Sequence, residues 1–282
     1  MKEQNLDNKI GEIDFRRKLS LQQTGSKIVL EDEFDQKGIE ELLLDRMVQT
    51  KKQIQSLKDA GVLMSPYLEL GAERGQRSLV MENEFSFHGV AADISYDMLS
   101  TCDYYGKKFN KNKMPLRVCC DAYNLPFQDN SIPFVFCYEF LHHFPAIAPI
   151  IREIHRVLAP GGSFFFAEEP CKGILQIKFL KSKHKIYSKK SLKKNFFQRT
   201  LEHFFYKPFC NELEHGIVEN DKISIGEWRK ALEIFENREI KLEVSNSMFS
   251  TELFKPKSIF KFLAFSLIGG GVTGLCKKSG EL

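Results

Sequence analysis

The sequence predicts an α/β fold, a doubly wound parallel sheet with helices on both faces. Three observations predict it. Short apolar runs alternate with segments of helical period between residues 65 and 170. Most of those runs end on glycine or an acidic residue. A single helical stripe lies between the fourth and fifth runs, as a crossover between parallel strands requires.

The elements follow in order. The first 35 or so residues are polar and show no steady periodicity. Ile39, Leu42, Leu43 and Met47 recur at helical spacing, followed by Ile54 and Leu57, and Gly61 is a stop signal. Tyr67 to Leu70 reads as a strand ending at Gly71, and Val90 to Ala92 as a second ending at Asp93. Leu116 to Cys120 reads as a third, ending at Asp121, and Phe134 to Tyr138 as a fourth. Ile147, Ile150, Ile151, Ile154 and Leu158 form one helical stripe that stops at Pro160-Gly161-Gly162. Ser163 to Ala167 is the fifth strand, running into Glu168-Glu169. Ser224 and Glu227 have the spacing of a capping box before Trp228, Ala231, Leu232 and Phe235. Ile240 to Val244 and Val272 to Lys277 complete the sheet.

Composition narrows the function classes. A 43% hydrophobic and 28% charged chain is ordinary for a soluble domain. The start is polar, and Phe262 to Ile268 falls well short of the roughly 20 apolar residues a membrane span needs. Cysteines at 102, 119, 120, 137, 171, 210 and 276 form no CxxC pair. That predicts a reduced, cytoplasmic compartment and no structural zinc or other metal. A net charge of +4 is too small to imply nucleic acid.

The chemistry is concentrated at three successive strand ends. Leu68-Glu69-Leu70-Gly71-Ala72-Glu73-Arg74-Gly75 runs from strand through turn to helix, where glycine admits a close ligand and a helix N-terminus offers free N–H groups. Asp93, ending the next strand, suits the hydroxyls of a ribose. Asp121, followed by Ala122 to Phe127, suits the edge of an adenine ring.

These residues resemble the class I S-adenosylmethionine (SAM)-dependent methyltransferases, in the branch that includes ubiquinone-biosynthesis-like and other small-molecule enzymes. The resemblance rests on Glu69 to Gly75, Asp93-Ile94-Ser95 with Met98-Leu99, Asp121 to Phe127, Tyr138 to Phe144, and Arg152 to Gly162. It implies a Rossmann-like seven-stranded sheet with an antiparallel last strand and SAM as cofactor. Gly71 and Gly75 would flank the methionine end, Asp93 would hold the ribose, and Asp121 with Ala122 the adenine. Glu69, Ile94 and Tyr138 join this cofactor set. The family usually has a glycine where this chain has Glu73, which either folds away into solvent, is offset by Arg74, or weakens the cofactor. A dinucleotide site would want glycines at 71, 73 and 76, and Glu73 and Gln76 stand there instead.

Candidate catalytic groups are His143 (beside His142), Glu169 (beside Glu168) and His215. His143 would serve as a base for an acceptor that enters protonated, or have no catalytic duty. Glu168 and Glu169 either act on a substrate amine or cap neighbouring structure. His215, beside Gly216, follows a segment that looks inserted. That segment carries ten lysines and Arg199 against Glu202 between Cys171 and Phe209, with interleaved aromatics. It reads as a lid with a solvated basic face, as a site for an anionic acceptor, or as a patch for an acidic membrane surface. No recognised nucleic-acid module accompanies it.

The expected organisation is an N-terminal, partly helical extension (1–64), a SAM-binding core (65–170), a basic insertion (171–222) and a C-terminal completion of the sheet (223–282). The expected activity is methyl transfer to a small-molecule acceptor that is anionic or linked to lipid or sugar. The alternatives are a SAM-binding or degenerate scaffold whose basic segment binds a partner, and a nucleic-acid methyltransferase.

Overall fold

All four residues of Tyr67–Leu70 are buried, as only a central strand covered on both faces permits. The computed structural model describes residues 9–17, 36–173, 223–244, 249–254 and 256–280. A helix over residues 9–17 (α1) comes first, then α2 (Gln36–Asp59). The core continues as β1 (Tyr67–Leu70), α3 (Gln76–Glu84), β2 (Gly89–Asp93), α4 (Tyr96–Ser100), α5 (Cys102–Lys108) and β3 (Leu116–Cys119). Then come β4 (Ile132–Tyr138), a single 3-10 turn (Leu141–His143), α6 (Ile147–Val157) and β5 (Leu158–Lys172). The C-terminal part is α7 (Ile225–Leu232), β6 (Asn237–Val244), β7 (Phe249–Glu252), α8 (Ile259–Ile268) and β8 (Gly269–Lys277).

One sheet of order β3-β2-β1-β4-β5-β8-β6-β7 unites the strands. The first five are mutually parallel, whereas β8 runs antiparallel to β5 and to β6. The strand order therefore reverses between β1 and β4, where an open α/β sheet leaves a crevice at the strand C-termini. The antiparallel last strand is present as expected. The sheet has eight strands rather than seven, because the four-residue β7 pairs with β6 at the edge.

Alternation along β4 sorts the core. Val135 and Cys137 join Leu68, Leu70, Phe164 and Phe166 under α6 and α7, with Ile150, Ile151, Ile154 and Trp228. Phe134, Phe136 and Tyr138 face the other way, onto Ile54, Met64 and Met81 from the α2 and α3 side. Helix α2 buries only Leu43, Met47, Thr50 and Ile54, a stripe of alternating four- and three-residue steps. The capping box forms: Ser224 Oγ accepts from the Glu227 backbone N–H, and the Glu227 carboxylate from the Ser224 N–H. Behind that cap, Trp228 lies flat on Phe166, with ring centroids 5.1 Å apart.

Glu69 is the one carboxylate inside β1. It is 2% exposed, and its Oε2 accepts from the Ser78 N–H at 2.9 Å and the Ser78 hydroxyl at 2.5 Å. It thereby ties the strand to the first turn of α3. Burial pushes its pKa up to about 7, against the Ser78 and Arg77 contacts that lower it.

Two measurements test this packing. Trp228→Ala is expected to lower the unfolding free energy by about 3–5 kcal/mol in denaturant titrations, the cost of a large cavity under a central strand. Glu69 has a folded pKa raised above its unfolded value of 4.5, so the stability it contributes is complete below that pH and is lost as pH rises towards about 7. The melting temperature of the wild type, relative to Glu69→Gln, is expected to fall between pH 5 and pH 7 and then level off. A difference that stays constant across this range would show that Glu69 does not titrate there.

Candidate cofactor site at the strand ends

The loop after β1 is a tight crank. Gly71, Glu73 and Gly75 all have left-handed φ values, of 68°, 48° and 69°. A Cβ on Gly71 would collide with the Phe140 ring, and one on Gly75 would lie 2.8 Å from Cys102 Sγ. Glycine is required at both positions by conformation and by space. Gly75 caps α3, whose first N–H groups emerge beside the loop.

Asp93 at the tip of β2 joins two loops. Its Oδ2 accepts from the Glu73 N–H at 2.9 Å and its Oδ1 from the Ser95 N–H at 2.8 Å. Burial raises its pKa, while Arg16 and the two backbone donors oppose the rise. At the end of β3, Asp121 Oδ1 accepts from the Tyr123 N–H at 3.0 Å, with Ala122 in the turn between them. The Cys120 N–H donates to the Asp93 carbonyl, which ties the β2 and β3 ends together.

Helix α1 lies across these ends. Lys9 pairs with Asp121 Oδ2 and sits 5.0 Å from the centre of the Tyr123 ring. About two turns later, Arg16 pairs with Glu12 on its own helix and with Glu73 on the β1 loop. From α2, Arg46 bridges Glu73 at 3.3 Å and Glu139, just after β4, at 2.9 Å. Arg74 is more distant from Glu73, at 3.9 Å. Burial alone would raise the Glu73 pKa, but Arg16, Arg46 and then Arg74 hold it well below the usual carboxylate range. Of the readings open for Glu73, exposure to solvent is overturned, since only a fifth of its side chain is accessible. Compensation by Arg74 is minor beside that by Arg16 and Arg46.

The β4 and β5 ends separate the two neighbouring glutamates. Glu169 is fully buried. Its carboxylate accepts from the N–H groups of Phe140, Leu141 and His142 at 2.7–3.2 Å, and lies 3.1 Å from His142 Nδ1. It thus builds the turn after β4. Glu168 has a left-handed φ of 64° and lies 3.7 Å from Arg77, which covers the Tyr138 ring at 4.0 Å. Glu73 and Glu139 follow β1 and β4, and Glu168 sits at the register shift within the adjacent β5, all three in backbone conformations rare for glutamate.

The structure brings Gly71, Gly75, Asp93, Ile94, Asp121 and Ala122 to one edge of the sheet. Glu69 lies beneath that edge. The Tyr138 side chain is turned towards α2, where its hydroxyl donates to Gln53 Oε1 at 2.8 Å. His143 packs 4.4 Å from the His142 ring and faces Glu12 and Arg16, and burial pushes its pKa down to about 4. His215 lies outside the described residues. Sequence reasoning missed Lys9, Arg16, Arg46 and Glu139. The Glu12–Arg16 spacing was the available sign of a helix, but nothing marked what that helix would touch.

An adenosine fits this chemistry. One carboxylate at each of two adjacent strand ends offers hydrogen-bond acceptors, each already oriented by backbone N–H groups. Among the described residues no cluster could hold a metal ion, and no helix is long and apolar enough to cross a membrane.

A family profile described as "Methyltransferase domain" matches residues 68–166, from β1 to β5. The chain is similar in fold to a chain from the complex between the Haloferax volcanii Trm112 methyltransferase activator and the putative methyltransferase. Identity is 16%, coverage 89% of this chain and 100% of that one, and the TM-score 0.50. It is likewise similar to the PH0226 protein of Pyrococcus horikoshii, at 15% identity, 84% and 92% coverage, and a TM-score of 0.50. No curated protein matches its sequence. With the matched segment carrying the glycine loop, Asp93 and Asp121, residues 68–166 belong to the class I methyltransferases, enzymes that use S-adenosylmethionine.

Proposed function

We propose that this methyltransferase acts on a small-molecule acceptor that is anionic or linked to a lipid or sugar. The observation that carries the cofactor half of this reading is the Asp93 carboxylate, oriented at the end of β2 by the Glu73 and Ser95 N–H groups. Within it, Asp93 takes the ribose hydroxyls, and Asp121 with the Ala122 backbone takes the adenine edge. Gly71 and Gly75 leave room for the methionine end. Ile94 packs beside the adenosine, Glu69 supports the loop from below, and Tyr138 contributes through its backbone.

Bound SAM supplies a methyl group already activated by its sulfonium. The chain then has to align the acceptor and exclude water, and alignment is worth most of the rate in such a transfer. His143 is neutral at pH 7, and with its pKa pushed down to about 4 it is a weak proton acceptor. An anionic acceptor is supported by the excess of lysine between residues 171 and 209. A lipid-linked one is supported by α8, which exposes Ile259, Phe260 and Leu263 beside Lys257 and Lys261, as a helix resting on an anionic bilayer would.

Calorimetry with SAM and with its demethylated product, S-adenosylhomocysteine, tests the reading. Both are expected to bind the wild type, and Asp93→Ala is expected to weaken each at least tenfold, about 1.4 kcal/mol or more. Failure of the wild type to bind either ligand, or unchanged binding by the variant, would sink it.

A further inference from the structure

Glu73 stands where a glycine would leave bare backbone, and its side chain turns inward to gather charge. Arg16 and Arg46 reach it from two different helices, and Arg46 continues to Glu139. The cluster holds both signs in a partly buried setting beside the loop that the cofactor reading gives to the methionine end. That end of SAM is itself a zwitterion, with one α-carboxylate and one α-ammonium. A neutral backbone loop can offer it only dipoles, whereas this cluster offers full charges of both signs.

Arg16 has the geometry for the carboxylate. Its Nε donates to Glu12 at 2.7 Å and its Nη1 to Glu73, which leaves the Nη2 edge without a partner among the described residues. A guanidinium held on two sides presents its remaining N–H groups in a fixed direction, the arrangement suited to a carboxylate. Helix α1 carries this residue with Ile13 and Phe15 partly buried and Ile10 51% exposed. Its contacts at the strand ends are Lys9 on Asp121 and Arg16 on Glu73. The helix thus carries a charged contact at each of these two strand ends.

Resting on the cofactor reading above, we propose that Arg16 recognises the α-carboxylate of SAM. Glu73 is the positioning residue that holds Arg16 and Arg46 in place, and Glu73 and Glu139 supply the negative charge that faces the α-ammonium. The unusual glutamate in the loop thus replaces backbone recognition of the amino-acid end by side-chain recognition.

The test uses two ligands, S-adenosylhomocysteine and 5′-methylthioadenosine, which shares the adenosine and thioether but lacks the amino-acid end. Titration calorimetry of the full chain is expected to show Arg16→Ala losing about tenfold or more in affinity for S-adenosylhomocysteine, the loss of a charge-assisted contact, with methylthioadenosine unchanged. Glu73→Gln is expected to lose affinity selectively in the same way, and Arg16→Lys to recover part of it. Retained methylthioadenosine binding is also the check that each variant is folded.

Equal losses for both ligands would make Arg16 a structural tie and overturn the assignment. So would unchanged or tighter binding of S-adenosylhomocysteine by Arg16→Ala. A wild type that binds methylthioadenosine no more weakly than S-adenosylhomocysteine would overturn it while leaving the adenosine site intact. A wild type that binds neither would instead bring down the cofactor reading, and this assignment with it.

Discussion

At the tip of β2 one carboxylate is shared by two loops. Asp93 accepts from the loop after β1 through Glu73 and from its own loop through Ser95, and the β3 end is tied to its carbonyl through Cys120. Three neighbouring strand ends are thus tied into a single frame. Everything the edge can do follows from that frame. The left-handed crank from Gly71 to Gly75 is useful only if its N–H groups are held still, and the N-terminus of α3 is aimed only if Gly75 is fixed. Glu69 secures the same crank from below through Ser78.

Burying so many carboxylates at one edge has a large desolvation cost, and the chain meets it in two ways. Glu169 is offset largely by backbone N–H groups, which bring no net charge, and Asp93 and Asp121 combine such donors with Arg16 and Lys9. Glu73 and Glu139 are offset by arginines from outside the sheet. The second solution has a structural consequence. It draws α1 and α2 onto the strand ends, so these two helices and the sheet edge share one cluster of charges.

The strand ends were legible because each closes a short apolar run, and a buried strand has to stop where the chain meets the ligand edge. Helix α6 was legible for a similar reason: its stripe of isoleucines has one period and one stop. Helix α1 was not, because it docks through ion pairs with residues 57 and 112 positions away, and long-range charge pairing leaves no periodicity behind. Strand β7 was missed as a four-residue edge strand with no apolar alternation of its own. Strand β5 runs past its expected end to Lys172, through a register shift near Glu168. That irregularity also explains why Glu168 and Glu169 look equivalent in sequence and differ in the fold. A left-handed residue at 168 turns one carboxylate to the edge and leaves the next one inside, capping the turn that follows β4.

The same accounting limits what chemistry the edge performs. Glu169 is saturated by three N–H groups and the His142 ring, and Glu73 is locked in its ionised form by its arginines. His143 is neutral at pH 7 and, with its pKa pushed down to about 4, holds a proton poorly. None of these groups combines freedom with a pKa near neutrality, the condition for efficient proton abstraction at physiological pH. What these residues hold at the strand ends is a hydrogen-bonded frame with its charges placed in advance. For a transfer whose leaving group is already cationic, these are the contributions that lower the barrier, because no charge has to be created for the reaction to begin.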